Sequence, residues 1–405
     1  MDQGRQRDFL RRFRLRSGQV IGRIFVGRAL RGFADGFIAV VLPAYLLSLG
    51  LGVLEVGIIS TATLLGSALT TLAVGRWGHR FHIRRLMLAA ALLMAATGLG
   101  FAGFSSFWPL LLVAVVGTLN PSSGDASVFM PLDHTMLATT ADRTAVFSRY
   151  TFVGSMAGAL GALASGLPEW SGISLRGMFV VYAAVGIAVW LLFLGLPDPK
   201  VGEEKSAVPL GPSRGIVWRL AGLFSIDSFA GGLVLNSLLA LWLFERFGLS
   251  LAAAGAFFFW TGLLSAASQL AAGPLARRIG MVNTMVFTHI PSSLCLIGAA
   301  LASSLDVALA LLLARSLLSQ MDVPARGAFV MSVVTPAERP AAASFTAVPR
   351  SLASALSPTL TGAMFAAGAM AAPLVACGVL KITYDVALYV AFRRAETEAA
   401  SPLGH

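Results

Sequence analysis

The sequence predicts an all-α membrane protein: twelve transmembrane helices in two pseudo-symmetric six-helix bundles. Three observations carry this prediction. The 405-residue chain is 57% apolar and only 12% charged, where an ordinary soluble protein carries about 25% charged residues. Apolar runs of about 20 residues, each long enough to span a bilayer, recur through most of the chain. The pattern also repeats at half length. Gly75-Arg76-Trp77-Gly78-His79-Arg80-Phe81-His82-Ile83-Arg84-Arg85 follows the second run, and Gly273-Pro274-Leu275-Ala276-Arg277-Arg278-Ile279-Gly280 follows the eighth. The alternating segments of about ten residues that a membrane β-barrel requires are not found.

In chain order, residues 1–23 form a basic cytoplasmic segment with Arg5, Arg7, Arg11, Arg12, Arg14, Arg16 and Arg23. Phe9, Leu10 and Phe13 share a helical face among these arginines. The segment is either a helix on an anionic membrane surface or an unstructured tail that sets topology. No cleavable signal is expected, because no apolar h-region precedes residue 24. The N-terminal six-helix bundle covers 24–197, with spans near 24–49, 53–75, 86–104, 107–133, 145–167 and 174–196. Residues 198–215, which contain Glu203-Glu204-Lys205, read as a cytoplasmic linker. The C-terminal six-helix bundle covers 216–392, with spans near 216–244, 250–275, 284–303, 307–333, 341–367 and 371–392, followed by a cytoplasmic tail, 393–405. The other connections are short, so sequential helices pack as neighbours. None could hold a soluble catalytic domain.

The net charge of +11 is distributed by loop. Arg76, Arg80, Arg84, Arg85, Arg277, Arg278, Arg339, Arg393 and Arg394 fall on the same side as the basic N-terminus, and little beyond Arg176 and Arg246 falls opposite. This is the positive-inside bias. It places both termini in the cytoplasm of a plasma membrane, a bacterial inner membrane being expected. It also argues against a nucleic-acid partner. Cys295 and Cys377 stand alone in apolar spans, and the histidines do not cluster, so neither a disulfide framework nor a metal site is expected.

The halves match in further detail. Asp35 and Asp227 lie at the same depth in spans 1 and 7, and Asp125 and Asp322 both fall late in the fourth span of their half. Asp142-Arg143-Thr144-Ala145 opens span 5, and Glu338-Arg339-Pro340-Ala341 opens span 11. In a repeat-built transporter the substrate lies between the repeats.

These features resemble the major facilitator superfamily. Its loop between spans 2 and 3 reads roughly Gly-x-Leu-Ala-Asp-Arg-x-Gly-Arg-Arg/Lys. The second copy here matches at Gly273, Leu275, Ala276, Arg278 and Gly280, with Arg277 in place of the aspartate. The first copy keeps Gly75, Arg80 and Arg84, with His79 at the aspartate and His82 at the second glycine. Arg315, in Leu311-x-x-x-Arg315, is similar to an arginine motif more usual in span 4. Ser354-Ala355-Leu356-Ser357-Pro358-Thr359-Leu360-Thr361-Gly362 resembles the Gly-Pro motif that exporters carry in span 5, while span 5 here has Gly154-x-x-x-Gly158 and Gly161. The resemblance implies the superfamily fold and secondary transport by alternating access. It also raises Asp35 as a coupling acid, since many drug exporters of the superfamily use an acid in span 1 that way.

A charge inside a span costs several kcal/mol and needs a reason. Asp227 has no basic residue three or four positions away; its neighbours are Ser225, Ser228, Gly231, Gly232 and Asn236. Left unpaired it would exchange a proton near neutrality; the alternative is pairing with an arginine from another helix. Asp35 follows Arg31 and Arg28 and reads as a structural ion pair or a coupling acid. Span 4 is expected to break at Asn120-Pro121-Ser122-Ser123-Gly124-Asp125, because proline removes a backbone donor. Asp125 would then serve a cation or polar-ligand site, or the break is a flexing point for gating with Asp125 facing a basic residue such as Arg149. Asp322, Arg315 and Arg326 share one face of span 10, and Arg350 follows Pro349 in span 11. These residues read as an intracellular gate or as an anion site, since guanidinium binds carboxylate or phosphate bidentately. Lys381 and Asp385, one turn apart, read as a structural pair, and His134 as an interfacial residue.

No Gly-x-x-x-x-Gly-Lys-Ser/Thr loop occurs, so energy must come from a gradient. The favoured reading is proton-coupled export of an amphipathic organic compound by a monomer, with protons and the lipid bilayer as partners and no cofactor. Phe33, Phe37, Tyr45, Trp242, Phe257, Phe258, Phe259 and Trp260 are the aromatic cavity candidates. The alternative is an organic-anion transporter using the buried arginines. A non-transporting receptor or scaffold is a third class, disfavoured by the lack of a sizeable extramembrane domain. An enzyme is not expected, because no acid/base pair accompanies a nucleophile or metal ligands.

Overall fold

The computed structural model describes residues 3–122, 128–137, 143–197 and 210–400; the side chains of 3–18, 79, 143–145, 340 and 394–400 lie outside the description. Asp125, Asp142 and the Glu203-Glu204-Lys205 run are therefore not described.

The protein is all-helical. The first half contains α1 (Gln3–Ser48), α2 (Val53–Trp77), α3 (Ile83–Gly103), α4 (Phe107–Val116), α5 (Phe129–Leu137), α6 (Arg143–Ala164), α7 (Leu167–Ser171) and α8 (Leu175–Phe193). The second contains α9 (Arg214–Gly232), α10 (Asn236–Phe247), α11 (Leu251–Ile279), α12 (Met281–Leu301), α13 (Leu305–Leu318), α14 (Asp322–Val333), α15 (Arg339–Ala366) and α16 (Ala372–Ala400). Each of the twelve expected spans contains helix among the described residues, and among these nine helical stretches are long and apolar enough to cross a membrane. Several starts are capped: the hydroxyls of Ser174 and Ser250 accept from the amides of Gly177 and Ala253 at 3.0 and 3.2 Å.

Three spans are broken, where the sequence predicts one break. Span 4 ends its first helix at Val116 and resumes at Phe129, either side of Pro121. Span 7 breaks at Leu233–Leu235, directly after Gly231-Gly232. Span 10 breaks at Ser319–Met321, and Pro324 in the first turn of α14 has no N–H to return to residue 320. The basic N-terminal segment is neither a separate surface helix nor a tail; its backbone continues into the first span as α1. The glycine-led stretches are also less loop-like than expected. Gly75 and Gly273 lie inside α2 and α11, and Gly280 alone turns the chain from α11 into α12, at φ 93°, where glycine is favoured.

The packing obeys a pseudo-two-fold relation. Within the first half α1 packs on α6 and α8, and α3 on α8; within the second, α9 packs on α15 and α16, and α12 on α16. Between the halves α2 meets α15 and α6 meets α11, which are related pairs. Small residues permit the close approaches, as in other membrane bundles. A Cβ on Gly32 of α1 would stand 2.8 Å from the Gly154 carbonyl oxygen of α6, and one on Gly57 of α2 would stand 2.7 Å from the Pro358 carbonyl oxygen of α15.

The buried apolar side chains form three cores. One joins both halves at the end away from the termini, with Tyr45, Ile59 and Phe179 packed together with Trp242, Phe258 and Leu312. At the terminus-bearing end each half has its own core: Met87, Phe129 and Phe193 in the first, Phe224, Met285 and Phe329 in the second. The halves are thus closed together at one end and packed separately at the other, with a cavity between them.

Candidate functional site

Six ionisable side chains from four helices of the second half form one network. Asp227 of α9 accepts from Lys381 Nζ of α16 at 2.6 Å and lies 3.1 Å from Arg326 Nη2 of α14. Arg326 also pairs with Asp322, one turn earlier on α14. On α12, His289 Nδ1 lies 2.9 and 3.0 Å from the two Asp385 carboxylate oxygens, and its Nε2 lies 3.2 Å from Lys381 Nζ. Arg350 of α15 donates through Nε to Ser228 Oγ at 3.1 Å. The Arg326 and Arg350 guanidiniums lie 5.3 and 5.9 Å from the Phe224 ring centre, within cation–π range.

This arrangement corrects three expectations. Asp227 is not unpaired: it is only 4% exposed and held by two cations from other helices, the alternative that the sequence left open. Lys381 and Asp385 do not pair with each other, although one turn apart; each reaches across to another helix, Lys381 to Asp227 and Asp385 to His289. Arg315 does not join Asp322 and Arg326. The break at Ser319–Met321 puts it on α13, where its side chain faces the cavity. His289 escaped notice because a single histidine in an apolar run carries no sequence signal of its partners.

The first half holds a smaller cluster that sequence reasoning also missed. Asp133 of α5 is fully buried, pairs with Arg31 of α1 and accepts from Tyr150 Oη of α6 at 2.6 Å. The Arg31 guanidinium stands 4.2 Å from the Phe129 ring centre, and that of Arg28 stands 5.3 Å from Tyr150. Asp133 was visible as an acid in the fourth span, but its partners lie on other helices. Arg31, one of the two arginines the sequence offered to Asp35, pairs with Asp133. Asp35 is buried on α1, one position before Gly36, which lines the cavity.

The cavity between the halves has a volume of about 450 Å³, within the usual range for small-molecule sites. Arg28 reaches it from the first half, and His289, Arg315 and Lys381 from the second. No carboxylate is among the described lining residues. Among the described residues no acid lies within 4.0 Å of Arg315. Asn236, at the start of α10, also lines the cavity, and Thr261, Ser265 and Gln269 present one polar face of α11 to it. Of the eight aromatic candidates only Phe257 and Phe258 line it. Phe37, Tyr45 and Trp242 belong to the shared core, Tyr45 donating to the Phe101 carbonyl at 2.6 Å, and Trp260 is 54% exposed. Arg149 is exposed on α6.

Polar contacts between the halves supplement the shared core. The Glu169 carboxylate of α7 accepts from the first amides of α11, Leu251 N at 2.7 Å and Ala252 N at 3.2 Å. Ser237 N of α10 donates to the Pro121 carbonyl at 3.2 Å, joining the broken parts of spans 7 and 4. At the terminus-bearing end Arg80 and Arg278 are exposed, and Arg84 Nη2 donates to the Leu194 carbonyl at 2.5 Å.

The model of the major facilitator superfamily matches residues 24–319. The chain belongs to the major facilitator superfamily. An uncharacterized membrane protein of Saccharomyces cerevisiae is 22% identical over 410 residues, covering 90% of this chain and 92% of its own length. Among solved structures, the nucleoside transporter NupG aligns with a TM-score of 0.72 at 14% identity, covering 92% of this chain and 99% of that one. A bacterial homolog to the human lysosomal transporter Spinster, inward-facing and unoccupied, aligns at 0.72 with 16% identity, covering 96% and 99%. The human organic anion transporter MFSD10 (TETRAN) aligns at 0.64 with 19% identity, covering 92% and 99%. At these identities the structures speak for the fold alone. As a superfamily member the protein is a multi-pass membrane transporter with a small-molecule substrate, and not an enzyme.

Proposed function

We propose that the protein is a monomeric secondary transporter that moves an organic anion across the plasma membrane by alternating access, with both termini in the cytoplasm. One observation carries the substrate class: Arg28, His289, Arg315 and Lys381 line the cavity and no described carboxylate does. The Arg315 guanidinium, with no described acid within 4.0 Å, is costly in a low-dielectric cavity, and a carboxylate or phosphate of the substrate supplies a counter-ion bidentately. The hydroxyl and amide groups of Thr261, Ser265, Gln269 and Asn236 suit a solute that carries polar groups as well as charge. That lining favours the anion reading over an uncharged or cationic amphipath. One structural neighbour is itself an organic anion transporter, in keeping with this reading.

With the termini in the cytoplasm, the separate cores at the terminus-bearing end describe an inward-facing state. Export, the direction the sequence reading favours, requires the Glu169 contacts to open on the other side. The deciding experiment is counterflow in proteoliposomes with glucuronate, citrate, benzoate and the uncharged nucleoside uridine. Exchange of one or more anions, lowered at least about tenfold in Arg315→Ala through loss of a charge-assisted contact, is the expected result. Exchange of uridine alone, unaffected by Arg315→Ala, overturns the anion reading.

A further inference from the structure

We infer that His289 is a proton-binding site that couples proton uptake to anion binding in the cavity. The inference rests on the anion reading for its binding readout, and on geometry for the proton site itself.

The imidazole has two different neighbours. Nδ1 sits 2.9 and 3.0 Å from both oxygens of Asp385, a residue with no exposed surface, so Nδ1 carries the hydrogen and donates. Nε2 sits 3.2 Å from Lys381 Nζ. An ammonium only donates, so Nε2 must accept with its lone pair. The network thus assigns a neutral ring with one tautomer, and the lone pair that could take a proton is the one now engaged by Lys381. Both His289 and Lys381 line the cavity.

Protonation at Nε2 reverses this contact. The nitrogen becomes a donor, can no longer accept from Lys381, and confronts it as a second cation at 3.2 Å. The ring then needs an acceptor. Asp227 Oδ1 is 3.8 Å away and already taken by Lys381 at 2.6 Å. An anion in the cavity meets the need of both cations. One proton added at Nε2 thus adds one donor and one positive charge to the anion site, while Nδ1 stays anchored on Asp385.

The charged surroundings of His289 are accounted for helix by helix. From α16 come Lys381, Asp385 and, with its ring centre 6.2 Å away, Tyr384. From α9 comes Asp227. α14 contributes Arg326 and Asp322, both bound within the network. α13 contributes Arg315, whose carbonyl accepts from Ser292 of α12 at 3.4 Å. From α11 the cavity-lining groups are uncharged. Only the His289–Lys381 contact in this set requires a neutral acceptor.

The test uses the full-length protein with labelled histidine, of which there are five. Nitrogen NMR over a pH titration, with His289→Gln identifying the signal, should show a lone pair on Nε2 at the alkaline end and an imidazolium at the acid end. Thermal-shift titration with glucuronate, citrate and benzoate should show anion affinity rising by up to about tenfold per pH unit of acidification, as one co-bound proton requires. His289→Gln preserves a donor and an acceptor but cannot take the proton, so its anion affinity should not change with pH. A hydrogen on Nε2 at the alkaline end, or a ring that stays neutral across the whole titration, overturns the proton site. Anion affinity equally pH-dependent in His289→Gln, or pH-independent in the wild type, overturns the coupling. If the ring titrates as stated and none of the anions binds at any pH, the anion reading falls and the proton site stands.

Discussion

Lys381 and Asp227 are 154 positions apart in sequence and 2.6 Å apart in the structure. Their contact joins the first and last helices of the second half, and it converts an apparently solitary acid into the centre of a network. Arg326 and, through Lys381, His289 complete it.

Stability should follow the number of partners lost. Asp227→Ala leaves Lys381 and Arg326 without their shared carboxylate, and breaking a buried pair costs about 3–5 kcal/mol. Asp322→Ala should cost less, because Arg326 keeps Asp227. Adding Lys381→Met to Asp227→Ala should recover part of the loss, since neighbouring sites are not additive. Thermal unfolding of the purified variants orders them. Equal losses for Asp227→Ala and Asp322→Ala would contradict the network.

If the anion reading holds, the gate and the substrate site should occupy different residues. Arg350, held by Ser228 and Phe224, and Arg326, held by two carboxylates, are engaged without a ligand, whereas Arg315 faces the cavity. Arg315→Ala should weaken anion binding about tenfold or more, and Arg350→Ala about threefold or less, the difference between a charge-assisted contact and an indirect effect. Binding measured on both variants checks the order, and a reversed order would move the substrate to the α9–α15 side.

Glu169 should act as an outer latch. Its carboxylate caps α11 across the boundary between the halves. Glu169→Ala removes one cap, an effect of about 1 kcal/mol or roughly fivefold in population. Cysteines introduced into the cavity should react faster with a reagent added from the outside. Unaltered labelling would remove Glu169 from the closure.

Glu338 should anchor the end of the linker in a pH-dependent way. Its carboxylate accepts from Gly211 N, from Ser213 N at 3.3 Å and from Thr335 Oγ1 at 2.7 Å. The Ser213 side chain is the largest influence, followed by the Gly211 amide and the Thr335 hydroxyl, and together they lower its pKa from the ordinary 4.5 to about 2. The folded value is depressed, so the stabilisation is fully present above pH 4.5 and is lost as pH falls towards 2. Glu338→Gln should lose that dependence and expose residues 210–214 to protease at neutral pH. Digestion patterns that match the wild type would count against the anchor.

Topology remains open to a direct test. Reporter fusions after residues 51, 105 and 170 should report the outside, from the arginine asymmetry. A cytoplasmic signal at two of them would sink the model.

The sequence by itself determined the class and the superfamily, because each is written in local composition and short motifs. A bilayer requires about 20 apolar residues whatever their neighbours, and Arg80, Arg84 and Arg278 identify the related turns without reference to a partner. The break at Pro121 was legible for the same reason, as were, with hindsight, Gly231-Gly232 and Pro324. Pairing was not legible. Lys381 and Asp385 look like partners on one helix, yet Asp227 of α9 and His289 of α12 take them, whereas Asp322 and Arg326, also one turn apart, do pair. Arg315 and Arg326 shared a face only while span 10 was taken as unbroken. Which acid meets which base, and which cation is left facing the cavity, depends on how two bundles of six spans pack, and only the tertiary structure decides that.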